Sequence, residues 1–304
     1  MRMEELVQEK LRHVFHDKSM VFDKSRFAGG LTNYNYIMEI KGIEYVIRQP
    51  GGMTEQIIDR KIERVNNNIA SELGVNSNCI YFDENSGIKI SIYINNSQNM
   101  AHADPSLPQN LTAVSRLMKK IHSLPQHFAN RFDWQTELHK YEQIIEQLHG
   151  DLFFDYTRLK DQLVNFVQKN GQNAILVPCH NDTVPENFII DDAGRTYLID
   201  WEYSGMNDPC WDVAAYMLES RLSAEAIDYL IQDYFHRPLT PVEELRIKSF
   251  MMAQDLLWTA WALIRHYNGD DFLEYCTIRY ERFRKNIKTI SKSPACAIAG
   301  MVMS

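Results

Sequence analysis

The chain has 304 residues, of which 45% are hydrophobic and 24% are charged. This length and composition predict one large or two modest domains with a buried core, and they exclude a disordered or fibrous chain. The 40 acidic residues outnumber the 32 lysines and arginines, giving a formal net charge of −8. We expect no nucleic-acid partner, because sequence-independent binding to the phosphate backbone needs an excess of positive charge.

In chain order, the first third of the sequence consists of strand-like segments separated by turns, together with two helices. Apolar spacing predicts the helices over residues 4–15 and 54–73. Strands are predicted, in order, over residues 21–27, 34–40, 44–49, 79–82 and 88–94. This order of elements favours a small antiparallel sheet with one helix packed on it.

The remainder of the chain is mostly helical. Helices are predicted over residues 111–122, 137–148 and 156–169. The polar stretch 95–99 and the prolines after it predict a linker. We therefore predict an α+β fold with two lobes, in which residues 1–94 form a small antiparallel-sheet N-lobe and residues 95–304 form a larger, mainly helical C-lobe.

The sequence carries no signal for secretion or membrane insertion. The N-terminus lacks the apolar run of a signal peptide, and no stretch approaches the roughly 20 apolar residues of a membrane span. The five cysteines are scattered and are not spaced as a metal or redox pair, which predicts free thiols. We therefore expect a cytoplasmic protein, and these features leave its oligomeric state open.

The densest group of polar residues lies between Cys179 and Asn187, and a second group surrounds Asp200. The segment between them predicts a β-hairpin. That hairpin would bring Asp182, Asn187 and Asp200 to one of its ends. An aspartate, an asparagine five positions later, a hairpin and a second aspartate are the layout of the catalytic loop and metal-binding segment of protein kinases.

Phosphoryl transfer explains why these residue types are needed. The reaction requires an acceptor for the proton of the substrate hydroxyl and oxygen ligands for a magnesium ion that bridges the phosphates of ATP. We predict that Asp182 is the base and that Asn187 and Asp200 hold Mg²⁺, which keeps several waters and needs few protein ligands. Each residue alone is more simply a turn or a strand end, but the joint order and spacing favour catalysis with ATP and Mg²⁺ as cofactors.

The N-lobe offers matching parts for the nucleotide. Gly30 lies in a turn between two predicted strands, where the backbone can approach phosphates while Thr32 or Asn33 donates hydrogen bonds. Arg48 on the third strand and Glu63 on the next helix occupy the places where a kinase carries its phosphate-binding cation and the carboxylate partner of that cation. Taken alone, a plain hairpin turn and a solvated arginine and glutamate explain these residues as well.

From Asp200 onward the sequence resembles one family in particular. The run Asp200-Trp201-Glu202-Tyr203-Ser204, then Asp212 and Glu219, then Trp258-Thr259-Ala260-Trp261, resembles the choline and ethanolamine kinases. The resemblance is strongest to the bacterial choline kinases that supply phosphocholine for surface polysaccharides. It extends from the Gly29-Gly30 turn to about Phe283.

The resemblance implies a protein-kinase-like fold, related to aminoglycoside phosphotransferases, and the transfer of phosphate from ATP to choline as the small-molecule substrate. It implies the roles already given for Asp182, Asn187, Asp200, Arg48 and Glu63. It further implies a choline pocket, whose predicted residues are Glu219, Trp258, Trp261, Tyr275 and Trp201. The predicted adenine site is the backbone near Ile92 and Ile94.

A pocket of this kind suits a quaternary ammonium, which has no N–H to donate. Aromatic faces attract such a cation by roughly 0.5–2 kcal/mol each, and a carboxylate adds charge. On spacing alone, Trp258 and Trp261 are more typical of core packing than of a ligand pocket, and Glu219 is more typical of an exposed helix end. The alternatives are a kinase for ethanolamine, thiamine or an aminoglycoside, and a non-catalytic kinase-like binding module, which the intact Asp182, Asn187 and Asp200 disfavour.

Overall fold

A computed structural model of the chain describes residues 2–30, 32–170, 174–292 and 297–302. The first 99 residues contain, in order, helix α1 (Met3–Val14), strands β1 (Phe27–Gly29), β2 (Asn33–Ile40) and β3 (Ile43–Pro50), helices α2 (Thr54–Ile57) and α3 (Arg60–Glu72), and strands β4 (Cys79–Phe82), β5 (Lys89–Ile92) and β6 (Ser97–Asn99).

The remainder of the chain is mainly helical. It contains α4 (Pro108–His122), α5 (Trp134–Gln147), α6 (Tyr156–Asn170), β7 (Val177–Cys179), a 3₁₀ turn (Pro185–Asn187), β8 (Phe188–Asp191), β9 (Thr196–Leu198), β10 (Gly205–Asn207), α7 (Cys210–Glu219), α8 (Ala224–Phe235), α9 (Pro241–Tyr267), α10 (Leu273–Lys292) and α11 (Ile298–Val302). Among the described residues, none of these helices has both the length and the apolar character to cross a membrane.

The chain forms two compact units. Unit 1 comprises Met1–Asn99 and Phe188–Tyr203, and unit 2 comprises Met100–Asn187 and Ser204–Ser304. The boundary lies five residues beyond the one predicted at residue 94, because the polar stretch taken for a linker contains β6, which pairs with β8. The β8–β9 hairpin, predicted as part of the C-lobe, accordingly belongs to unit 1.

Unit 1 is built on an antiparallel sheet with the strand order β1-β2-β3-β5-β4. Strand β3 is central and carries alternating buried residues, among them Ile47. Helix α1 lies on this sheet, where Val7 and Leu11, one helical turn apart, are fully buried in a cluster with Ile47 and Ile90. Each such side chain stabilises the fold by roughly 1.5–3 kcal/mol relative to leaving it exposed.

Besides β6, two elements of unit 1 differ from the sequence prediction. The first strand is Phe27–Gly29 rather than residues 21–27, because the segment before it bends and its apolar Val21 is exposed. The single helix predicted over residues 54–73 is two helices separated at Ile58, which is extended. Asp59 then caps α3 by accepting hydrogen bonds from the backbone N–H groups of its first turn.

Unit 2 is organised around α9. Most residues between Ile247 and Arg265 are buried, because α9 packs against α5, α6, α7 and α10. The helix begins with a capping box in which Thr240 and Glu243 bond each other's backbone N–H groups. The predicted helices α4, α5 and α6 are confirmed, and α4 and α5 begin three residues earlier than predicted, at Pro108 and Trp134.

Candidate active site

The segment with the predicted base follows β7 and is held by a buried carboxylate of α7. Asp212 is fully buried and accepts hydrogen bonds from the backbone N–H groups of His180 (2.9 Å) and Asn181 (2.8 Å). His122 of α4 lies 3.0 Å from the same carboxylate. Since hydrogen bonds to a charged acceptor are stronger than neutral ones, Asp212 fixes the backbone immediately before Asp182.

The predicted base and one predicted metal ligand touch each other. The 3₁₀ turn Pro185–Asn187 places the side-chain amide of Asn187 so that its nitrogen donates to the carboxylate of Asp182 (3.0 Å) and to the main-chain carbonyl of Asp182 (2.9 Å). These bonds orient the carboxylate and turn the amide oxygen of Asn187 away from it, where the oxygen suits a hard cation.

In unit 1, the structure brings Arg48 and Glu63 together as a buried pair. Two nitrogen–oxygen distances of 2.5 and 3.1 Å join the guanidinium to the carboxylate, and both side chains are at most 2% exposed. Burial raises the pKa of Glu63, but the charges of Arg48, Lys89 and Arg60 outweigh burial and hold that pKa at about 2. A solvated arginine and a solvated glutamate are therefore excluded.

Three carboxylates of unit 1 could share a metal ion. One oxygen each of Glu63, Asp200 and Glu202 lie within 4.8 Å of one another, and Arg48 approaches Asp200 to 3.5 Å. Asp200 adopts a left-handed backbone conformation with φ 66°, which turns its side chain at the end of the hairpin. An all-oxygen donor set with several carboxylates suits Mg²⁺ better than a transition metal.

Glu202 is bound by neighbours that the sequence did not single out. It accepts hydrogen bonds from Arg60 (3.0 Å) and from the amide of Asn33 (2.9 Å). Burial, reinforced by the charge of Asp200, raises the pKa of Glu202 to about 7 despite the opposing charge of Arg60. Asn33, predicted to meet phosphate, thus directs its side chain to Glu202.

The glycine turn of unit 1 requires glycine for a steric reason. Gly30 has φ 127°, and a Cβ there would lie 1.8 Å from the main-chain oxygen of Asn33. Thr32 is half-buried, and its carbonyl accepts a hydrogen bond from Gly51. The neighbouring Leu31 lies outside the described residues.

The two isoleucines near the predicted adenine site already use part of their backbone. The N–H of Ile92 donates to the carbonyl of Asn78 (2.8 Å), and the carbonyl of Ile94 accepts from the hydroxyl of Ser97 (2.5 Å). Ile94 lies beyond the end of β5, where the chain leaves the sheet.

Unit 2 brings three of the predicted substrate residues into one aromatic cluster. The ring centroid of Trp261 lies 6.5 Å from that of Trp258, 6.4 Å from that of Tyr275 and 5.2 Å from that of Phe272, with the planes steeply inclined in each pair. Edge-to-face contacts of this kind hold aromatic rings in fixed orientations. Phe272 was not identified from the sequence.

An ion pair with little solvent exposure lies beside this aromatic cluster. Glu219, at the end of α7, accepts a hydrogen bond of 2.6 Å from Arg279 of α10. The guanidinium carbon of Arg279 lies 4.7 Å from the ring centroid of Tyr275. Burial raises the pKa of Tyr275 to about 12, and the charges of Glu219 and Asp182 act in the same direction against that of Arg279.

Trp201 has a different environment from the other predicted substrate residues. It is fully buried in unit 1, and its indole N–H donates to the carbonyl of Leu198 at 2.8 Å. This geometry gives Trp201 a packing role beside the β8–β9 hairpin.

Sequence reasoning missed several charged residues that the structure places at these clusters. Tertiary packing buries these residues, and a single sequence gives no signal that separates them from exposed charges. Glu202 and Asp212 are exceptions, because they lie in the segments that carry the family resemblance. The missed residues are Arg60, Lys89, Glu202, Asp212, Asp255 and Arg279.

Known proteins are similar to this chain over most of its length. A family model described as choline/ethanolamine kinase matches residues 25–244. Protein LicA of Haemophilus influenzae is 31% identical over 282 residues, which cover 90% of this chain and 81% of that protein.

Solved structures similar to this chain have the same fold. The crystal structure of choline kinase LicA from Streptococcus pneumoniae matches with a TM-score of 0.79 and 27% identity, covering 94% of this chain and 99% of that one. Spectinomycin phosphotransferase APH(9)-Ia, at 15% identity, shares the fold alone, with a TM-score of 0.60 and coverage of 99% and 97%. The predicted α+β kinase-like fold is therefore confirmed.

Proposed function

Since the chain belongs to the choline/ethanolamine kinase family, we propose that it transfers the terminal phosphoryl group of ATP to the hydroxyl of choline, giving phosphocholine and ADP. The observation that carries the choice of choline is the aromatic cluster of Trp258, Trp261 and Tyr275. These rings lie in the same unit as Asp182, and their faces are what a cation without N–H groups requires.

Asp182 is the base in this proposal. Its carboxylate accepts the proton of the choline hydroxyl while that oxygen forms a bond to the terminal phosphorus, and the bond from phosphorus to the bridging oxygen of ADP breaks. The amide of Asn187 supports this role, because its donated hydrogen bond orients the carboxylate.

The residues present fit a magnesium ion. Asn187 and Asp200 would hold it, the first through its amide oxygen and the second through a carboxylate that already lies among other acidic oxygens. Bound Mg²⁺ neutralises charge on the phosphates. Glu202 supplies a further oxygen near Asp200.

For ATP, we propose that Arg48 contacts the phosphates while Glu63 holds it in place. Gly30 allows a close approach of the turn, Thr32 and Asn33 flank it, and the backbone near Ile92 and Ile94 receives the adenine. An enzyme that uses ATP needs the compartment where ATP is abundant, so we propose a cytoplasmic location.

Turnover of candidate substrates tests this function directly. Purified full-length protein with Mg-ATP would be assayed for ADP release with choline, ethanolamine, thiamine and an aminoglycoside, each with and without EDTA. We expect EDTA-sensitive turnover that is fastest with choline. Turnover with another substrate alone would retain the kinase and reject the choline pocket, and silence with all four would favour a non-catalytic binding module.

Ethanolamine is the second candidate, and one observation favours it. The Oε1 atom of Glu219 is buried without a hydrogen-bond partner among the described residues. A primary ammonium, which has three N–H donors, could bond to that oxygen. The assay distinguishes the two substrates by their kcat/KM values.

A further inference from the structure

The carboxylate of Glu219 is already half engaged. Its Oε2 accepts the 2.6 Å hydrogen bond from Arg279, and its Oε1 has no partner among the described residues. The two side chains are 15% and 7% exposed, so solvent screens their attraction only weakly. A substrate cation at this position meets an ion pair rather than a lone negative charge.

Arg279 is not needed by the other carboxylate near it. Asp255 is fully buried and receives two hydrogen bonds from Arg282, at 2.8 and 2.5 Å, one to each oxygen. The distance from Arg279 to Asp255 is 3.4 Å, which is long for a charged hydrogen bond. Glu219 is therefore the main partner of Arg279.

Arg279 also acts on the aromatic cluster. Its guanidinium lies over the ring of Tyr275 at 4.7 Å, so one cation already interacts with that ring. A quaternary ammonium that reaches this cluster depends on aromatic faces and loses no hydrogen bonds on leaving water. A primary ammonium must replace three hydrogen bonds to water, and Glu219 offers it one buried oxygen.

We propose that Arg279 is a specificity-determining residue, which neutralises Glu219 and thereby disfavours primary ammonium substrates relative to quaternary ones. The inference rests on the proposed function, in which Glu219 and Tyr275 lie at the cation of the substrate. Arg279 acts through Glu219, so we expect its replacement to change the ratio of kcat/KM between the two substrates rather than the rate with either substrate alone.

The test compares kcat/KM for choline and ethanolamine in matched variants. Arg279→Gln releases Glu219, so we expect the ratio of ethanolamine to choline to rise about tenfold, the size that one buried hydrogen bond to a charged group gives. Arg279→Lys keeps the charge and should retain the wild-type ratio. Arg284→Gln is the control on the same helix, because Arg284 pairs with Asp155 and Glu281.

If Arg279→Gln is folded and active but its ratio of kcat/KM for ethanolamine to that for choline is unchanged, the inference is overturned. A merely structural role of Arg279 would lower kcat/KM for both substrates equally. A ratio that rises as much in Glu219→Gln/Arg279→Gln as in Arg279→Gln would also overturn it. Absence of turnover with both substrates in the wild type would instead reject the proposed function, and with it this inference.

A second comparison keeps the inference testable if Arg279→Gln alone does not fold because it leaves the carboxylate of Glu219 without its partner. In Glu219→Gln the charge of Arg279 is left facing the substrate cation, whereas Glu219→Gln/Arg279→Gln removes it. We expect the choline KM to be at least tenfold higher in the single variant than in the double variant. Equal KM values would show that the charge of Arg279 is not felt by the substrate.

Discussion

Asp182 is oriented by a side chain that follows it by five residues. The amide of Asn187 bonds both the carboxylate and the main-chain carbonyl of Asp182, and Asp212 holds the two preceding backbone N–H groups. A change that preserves the shape of Asp182 but removes its charge therefore leaves these supports in place.

Asp182→Asn is expected to lower kcat by about 10²- to 10⁴-fold, the usual contribution of a general base. The melting temperature should stay within about 2 °C of the wild type, because a change below 1 kcal/mol shifts a chain of this size by only a few degrees. Steady-state kinetics and thermal unfolding measure the two effects. Asp192→Asn, in an exposed turn, is the matched control, and near-normal turnover in Asp182→Asn would reject the base.

Single residues also mark the limit of sequence reasoning. The positions of Arg48 and Glu63, a strand and the helix after it, matched those of a kinase's phosphate-binding cation and its carboxylate partner, but on these residues alone two solvated side chains were as good an explanation. Arg60 could not be predicted, because its contact with Glu202 joins residues 142 positions apart. Arg279 could not be predicted either, because its contact with Glu219 joins residues 60 positions apart and its burial depends on the packing of α10 against α9.

At the scale of elements, the break between α2 and α3 places the side chains of the nucleotide cluster. Asp59 accepts hydrogen bonds from Lys61 N (3.0 Å) and Ile62 N (3.2 Å), and α3 then presents Arg60 and Glu63 in its first turn. The direction in which α3 starts therefore depends on one cap.

Asp59→Ala should destabilise the protein by about 1 kcal/mol, the usual value of an N-cap, and should raise the KM for ATP more than that for choline. The reason is that fraying of the first turn loosens the support of Arg48 by Glu63. Urea unfolding and steady-state kinetics check both effects. Asp59→Asn keeps a capping oxygen and should restore both, and a KM change confined to choline would contradict the argument.

The start of α9 predicts a pH dependence. The hydrogen bond from Arg237 is the largest cause that lowers the pKa of Glu243, to about 2. A carboxyl with a lowered pKa stabilises the folded state above its unfolded value of 4.5 and loses that contribution as the pH falls toward 2. We therefore expect Glu243→Gln to lower the free energy of unfolding at pH 7, and to lower it less at pH 3.5. Urea unfolding of both proteins measures the difference, and a constant difference would refute the assignment.

Element types were easier to predict than element partners. The hairpin β8–β9 was predicted from the turn at residues 191–194 and the two short segments that flank it. The strand β6 was mistaken for a linker because its residues are polar and its partner β8 begins 89 positions after Asn99. Pairing at that separation leaves no local pattern of hydrophobicity.

On the scale of the whole molecule, the proposed functional residues are distributed over both units. Unit 1 contains Arg48, Glu63 and Asp200, and unit 2 contains Asp182 and Asn187. The family-level motif predicted this set of residues. The division into units did not follow from composition, because residues 188–203 join unit 1 through strand pairing and side-chain contacts with residues far away in the sequence.

Mg-ATP is expected to stabilise the whole protein. At 100 times its dissociation constant, a ligand that binds only the folded state contributes about 2.7 kcal/mol, or roughly 5 °C or more in melting temperature. Thermal unfolding with ATP should show a smaller shift in EDTA than in magnesium. Asp200→Asn should lose the increment due to magnesium, whereas Asp192→Asn should keep it, and equal shifts with and without EDTA would argue against a metal at Asp200.

The pairing of β6 with β8 sets an order of events during synthesis on the ribosome. The strands of the five-stranded sheet are all made by Ile92. Asn99 can pair only after its partner Ile189 has been synthesised. At about 5–20 residues per second, synthesis from Asn99 to Ile189 takes roughly 5–20 s. For that time the edge of β6 is unpaired on a nascent chain, the state in which strands bind the wrong neighbour.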